Sequence, residues 1–240
     1  MTLLDHDHSP ESIAERLKEG PRALHLREWV YGGIDGVVTT FAIVAGVVGA
    51  NLSPLIVVIL GIANLVGDGF SMAAGAYSSA KVEDDNYDRL REVETTHVEK
   101  YPEGEREEIR QIYAAKGFQG EDLERIVQVI SSDKEHWIDV MLAEEYGVSK
   151  SLSKPLHIAV HTFVAFIVCG AMPLIPFLLS VPGAPWAALI LSAMTFFAIG
   201  SLKSLWSVKS WWREGLSTTG IGLVAAGLAF GIGYGLRQWG

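Results

Sequence analysis

Asn64, Asp68 and Met72 stand at intervals of four in GIANLVGDGFSMAAGAYSSAKVEDD, residues 61–85, a stretch whose first part is apolar enough to enter a bilayer. Spacings of i, i+4 and i+8 put the three on one face of a helix. A carboxylate at the centre of a membrane helix costs about 2.5–3.5 kcal/mol to insert, so such groups face a bundle interior or an aqueous path. A second aspartate, Asp35, lies in GGIDGVVTTFAIVAG, and both have glycine beside them, which permits close helix approach or local unwinding. Oxygen, oxygen and thioether form a stripe along one wall. A thioether is a poor partner for Mg²⁺ or Ca²⁺, so the set points to a transition ion such as Fe²⁺, with Mn²⁺ or Co²⁺ as alternatives. The plainer interpretations are a hydrogen-bond staple for each aspartate and simple gap-filling for the methionine.

A second set of candidate ligands is polar in setting. Glu94 and His97 are i, i+3, Glu105 and Glu108 are i, i+3, and Met141 and Glu145 are i, i+4, so each pair shares a helix face. Three such faces converging would make a metal cluster, because divalent cations relieve the repulsion among crowded carboxylates. The plainer interpretation is a solvated acidic surface. Glu94-x-x-His97 also matches half of a ferritin-like Glu-x-x-His pattern, with Asp133-x-x-His136 an imperfect second copy. That alternative, a membrane-tethered iron-binding protein or iron oxidase, leaves Asp35 and Asp68 unexplained. His157 and His161, at i, i+4, are candidates for ligation or proton relay.

The elements that must position these residues are long and apolar. Hydrophobic residues make up 49% of the 240-residue chain and fall in blocks at 29–50, 54–80, 156–181, 184–202 and 216–236. Each is near the roughly 20 residues a helix needs to cross a bilayer. The expected fold is an all-α membrane protein with five transmembrane helices. The first block lacks a cleavage pattern and is expected to be a permanent anchor. Pro173 and Pro176 should break or kink the third span. The single cysteine, Cys169, leaves no disulfide framework or thiolate cluster within one chain.

The net charge of −9 is local: residues 81–150 hold 19 acidic residues against 10 Lys and Arg. A 70-residue acidic insert therefore separates spans two and three. Helical periodicity predicts three helices in it: one running on from the second span to about 99, one over 104–117 after YPEG, and one over 121–147 after GFQG. The connections NLSP and SVPGAP lack basic residues, whereas Arg16, Lys18, Arg22 and Arg27 precede the first span and Lys203, Lys209 and Arg213 follow the fourth. By the positive-inside rule the N-terminus and the insert are cytoplasmic and the C-terminus is outside, with Trp206, Trp211 and Trp212 as inner interfacial anchors. The expected organisation is an N-terminal segment 1–28, spans one and two in 29–80, the insert 81–150, and spans three to five in 151–240. No Gly-rich phosphate loop, nucleophile elbow or basic aromatic surface for nucleic acid is evident.

The succession YGGIDGVVTTFAIVAGVVGA, NLVGDGFSMAAGAYSSAK, an acidic insert and SWWREG before a Gly-rich last span resembles the vacuolar iron transporter family from about residue 25 onward. The resemblance implies a transporter and not an enzyme: a homodimer of five-span protomers that exports Fe²⁺ from the cytoplasm in exchange for protons, with the ion path between protomers. It implies that Asp35 and Met72 line the path and that the insert collects metal through Glu94, His97, Glu105, Glu108, Met141 and Glu145. His97 stands where plant-type members have glutamate, and Leu142, where they have a second methionine, cannot ligate. Their acidic residue of the second span falls on Asn64, with Asp68 one turn nearer the cytoplasm. No permanently bound cofactor is expected; the divalent ion is the substrate, and ion and proton compete for one carboxylate. The short chain points to a bacterial cell membrane in preference to an organelle.

Overall fold

A computed structural model describes residues 7–19 and 24–237; Arg22, counted above for orientation, lies outside them. All of the regular structure among these residues is helical: α1 (Pro10–Glu19), α2 (Leu26–Gly49), α3 (Pro54–Lys100), α4 (Pro102–Ala115), α5 (Gly120–Ile130), α6 (Lys134–Glu144), α7 (Pro155–Ala171), α8 (Ile175–Leu178), α9 (Ala184–Lys203) and α10 (Trp211–Leu236). Short 3₁₀ turns at Met172–Leu174 and Ser204–Trp206 lead into α8 and out of α9. Five helical stretches are long and apolar enough to span a membrane: Leu26–Gly49, Pro54–Lys100, Pro155–Leu178, Ala184–Trp206 and Trp211–Leu236. The chain forms two compact units, residues 1–78 with 153–240, and Ser79–Leu152.

In the first unit α2 is the central element. Half of its most apolar window is shielded, against 22% for α3 and for α10. Without a hydrophobic force between helices in lipid, association depends on close packing of small residues. Gly32 and Gly36 meet this need, since a Cβ on either would run into the backbone of α7 at Thr162 or Phe166. Val37, Phe41 and Val44 then interlock with the fully buried Phe166, Leu174 and Phe196. Asn51, at φ 57, gives the left-handed stop after α2, and Pro54 opens α3. Pro173 and Pro176 end the regular run of α7 in a 3₁₀ turn, as the sequence predicts. The glutamate of SWWREG, Glu214, is buried and paired with Lys203 at 3.1 Å and Lys209 at 3.2 Å, which ties the connection before α10 to that helix.

The second unit contains the end of α3 with α4, α5 and α6. Tyr101 leaves the helical region and Pro102 starts α4, where its missing N–H costs nothing. Gly117 and Gly120, at φ +100 and +58, supply the turn before α5. The expected single helix over 121–147 is instead two helices. Asp133 adopts extended dihedrals and its carboxylate accepts the His136 N–H at 2.8 Å, an N-cap that starts α6 anew. Periodicity missed the break because Val127 and Ile130 before it, and Trp137, Ile138 and Met141 after it, face one core. The Asp133-x-x-His136 pattern is thereby accounted for as a cap. Salt bridges from Arg91 to Glu135 and Asp139, and from Lys134 to Glu99, join α3 and α6 at the surface.

Candidate functional site

In the Ser79–Leu152 unit, three of the predicted ligands meet. His97 Nδ1 lies 3.6 Å from Glu94 Oε1 and 3.4 Å from Glu105 Oε1. Among the described residues, this is the one group of three or more His, Cys, Asp or Glu with one ligand atom from each within 4.8 Å of the others. Glu94 and His97 lie one turn apart on α3, and Glu105 comes from the first turn of α4, so the Tyr101–Pro102 break is what turns the third ligand inward. Glu94 is 0% exposed and Glu105 4%. Their Oε2 atoms are buried and lack a hydrogen-bond partner, a distinction shared among the described residues only with Trp137 Nε1. Buried acceptors left empty are costly, and two on facing carboxylates make this group a candidate for holding a cation.

The electrostatics agree. Burial, reinforced by the charges of Glu94, Glu108 and Glu145, pushes the Glu105 carboxyl up to about 8. Burial and the charges of Glu94 and Glu108 also raise Glu145. Glu108 and Glu145 are thus electrostatic neighbours of the three-residue cluster, though exposed at its margin. Met141 is fully buried in the hydrophobic core of this unit, as is Leu142 beside it. A residue that the sequence pattern does not mark joins the cluster: Tyr146 donates its hydroxyl hydrogen to Glu94 Oε1 at 2.9 Å. The only sequence signal for it was the adjacent Gly147, whose left-handed conformation (φ +65) follows α6.

In the other unit the four residues proposed from the sequence for an ion path, Asp35, Asn64, Asp68 and Met72, are less enclosed. Gly61, Leu65 and Gly69 form the packed face of α3. Asn64, Asp68 and Met72 follow the neighbouring row, one residue out of phase with it. Asn64 is anchored, donating through Nδ2 to Thr39 Oγ1 at 3.1 Å and Thr40 Oγ1 at 3.3 Å, two partners on α2 that the spacing argument missed. Met72 is half-buried against the core of this unit, whereas Asp68 is exposed. Asp35, half-buried on α2, is near enough to Asp68 for the two charges to interact. It also lines a largely apolar groove of about 610 Å³ with Val30, Tyr31, Ile34, Lys203 and Trp206. Of the two histidines on α7, His157 is exposed. His161 stacks on His25 at 4.0 Å between ring centroids, and its Nδ1 accepts the Trp29 Nε1–H at 3.3 Å.

The model of the VIT family matches residues 26–234. Vacuolar iron transporter 1 of Eucalyptus grandis is 32% identical over 86% of this chain and 84% of its own length. Vacuolar iron transporter 1 of Arabidopsis thaliana is 31% identical over 95% of this chain and 90% of its own. The vacuolar iron transporter of Toxoplasma gondii is 33% identical over 87% of this chain and 73% of its own. These relatives come from plants and a parasite and are named vacuolar, which lends no support to the expected bacterial membrane. With five spanning helices and a match over most of its length, the chain is an integral membrane protein and belongs to the VIT family, a family of transporters and not of enzymes.

Proposed function

We propose that this protein carries Fe²⁺, and by the same chemistry Mn²⁺ or Co²⁺, out of the cytoplasm in exchange for protons. The observation that carries the reading is the buried Glu94–His97–Glu105 cluster with two unpartnered carboxylate oxygens. Transition ions take imidazole and carboxylate together, and the nitrogen of His97 favours Fe²⁺ or Co²⁺ over Mn²⁺. The names and extent of the VIT relatives support iron as the substrate.

In this mechanism the Ser79–Leu152 unit is cytoplasmic and captures the ion. Binding displaces the proton from Glu105, so capture is tightest where the cytoplasm is least acidic. The ion then passes along Asp68, Asp35 and Met72, with the Asn64 carbonyl as a neutral oxygen beside them. A proton arriving from the far side takes an aspartate oxygen, weakens the site and releases the ion. In this mechanism two copies form the path between them, and Asp35 lines an apolar groove on its own copy.

The test is metal uptake into proteoliposomes under an imposed pH difference, with Fe²⁺ or Mn²⁺ offered to the face that bears Ser79–Leu152. Wild type should move metal in proportion to the gradient, and Asp35→Asn and Met72→Ala should not. Uptake indifferent to the gradient removes proton coupling, and equal uptake by all three proteins removes the assigned path.

A further inference from the structure

Tyr146 owes its place to the way α6 ends. The Val148 N–H returns to the Leu142 carbonyl at 3.0 Å, and Gly147 takes the left-handed conformation at φ +65 that such a stop requires. The chain reverses there, and Tyr146 is turned back onto Glu94 of α3 instead of continuing along the axis of α6. Its hydroxyl donates to Glu94 Oε1 at 2.9 Å, while Oε2 of the same carboxylate is left unpartnered.

A carboxylate that chelates one ion with both oxygens must turn both toward it. Calcium, which takes 6–8 oxygen ligands, commonly binds carboxylates in this way, whereas smaller transition ions accept a single oxygen and a nitrogen. Accepting the phenolic hydrogen uses one lone pair of Oε1, the oxygen 3.6 Å from His97 Nδ1, and makes it the weaker donor, so Glu94 offers one strong oxygen, the unpartnered Oε2. We propose that Tyr146 is a positioning residue, holding Glu94 to single-oxygen ligation and biasing the cluster toward small transition ions such as Fe²⁺ and Co²⁺ over larger, oxygen-seeking ions such as Ca²⁺. This rests on the reading of Glu94, His97 and Glu105 as a metal site. Partners that orient a ligand in this manner are worth about 10–100-fold in metal affinity.

The experiment is direct binding of Co²⁺ and Ca²⁺ to the full-length protein in detergent, by calorimetry and by the visible absorption of bound Co²⁺. Wild type is compared with Tyr146→Phe, which keeps the buried ring, and with Glu94→Gln. Tyr146→Phe is expected to bind Co²⁺ about tenfold more weakly, while Ca²⁺ affinity holds or rises and the Co²⁺ band loses intensity as ligands are added. An unchanged Co²⁺/Ca²⁺ ratio with an unchanged band overturns the assignment. So do equal losses for both ions with a lower melting temperature, because those mark a purely structural tyrosine. If wild type and Glu94→Gln bind Co²⁺ alike, the metal site itself is wrong and the role of Tyr146 falls with it. Binding by wild type but not by Glu94→Gln keeps the site, and the Tyr146→Phe ratio then decides the role of the tyrosine alone.

Discussion

The two sets of candidate ligands differ in how the protein treats their charge. In the Ser79–Leu152 unit Glu94 and Glu105 are buried, aimed at one histidine and left with empty acceptors. In the membrane unit Asn64 is already hydrogen-bonded, Asp68 is exposed and Met72 packs against the core, so their donors are strung along a helix. A site that holds an ion needs donors that converge. A site that passes ions on needs binding weak and distributed enough to let them leave. Under the proposed function, this contrast fits capture by the first set and transit along the second.

The largest test of that contrast is Asp35→Asn. Transport in proteoliposomes should fall by about 100-fold or more, the scale of losing a charge-stabilising group, while Co²⁺ binding to the Glu94 cluster stays at the wild-type value. Loss of both activities together would erase the distinction between the regions. Next in size, Glu105→Gln should weaken Co²⁺ binding by about 10–100-fold and yet leave the metal-free protein as stable as wild type at pH 7. The reason is that a carboxyl raised to about 8 is already protonated there and an amide mimics it. Calorimetric titration and a melting curve read the two halves of this prediction separately.

The pH dependence sharpens the same point. Because folding raises Glu105 from its ordinary 4.5 to about 8, the folded metal-free protein holds a proton that the unfolded chain releases. Its contribution to stability is complete below pH 4.5 and declines as pH rises toward 8, so the melting temperature of this unit should drop across that interval. Metal affinity should move oppositely, gaining about tenfold per pH unit and levelling off above pH 8. Affinity that is flat from pH 5 to 8 would remove Glu105 from the site. The smallest effect is expected at the surface of the same unit. Arg91, paired with Glu135 and Asp139 in partial exposure, should cost about 1 kcal/mol or less when changed to Ala. Chemical denaturation would detect a larger loss and so show the surface pairs to matter as much as the buried cluster.

Much of this arrangement was legible in advance because it depends on local rules. Five apolar blocks became five spanning helices, and the polar break at YPEG placed the start of α4 where Pro102 allows it. The i, i+3 pairing of Glu94 and His97 was readable from helix geometry alone. The division of the predicted 121–147 helix was not, since the apolar phase runs through the break and the decisive contact is a single capping carboxylate, Asp133. Nor was the difference between Glu105 and Glu108, two glutamates three residues apart, of which the first is buried beside His97 and the second is exposed.

What the sequence determined by itself is therefore the membrane class, the length and order of the five spanning helices, the acidic insert and the row of Asn64, Asp68 and Met72. These follow from hydrophobic length and from the 3.6-residue period, which each segment carries within itself. Only the tertiary structure decided that Glu94, His97 and Glu105 form one cluster, that Thr39 and Thr40 hold Asn64, and that Tyr146 closes on Glu94. Those contacts bring together residues from different elements of the chain. Their geometry is set by how whole elements pack and where each one stops, which no local period records.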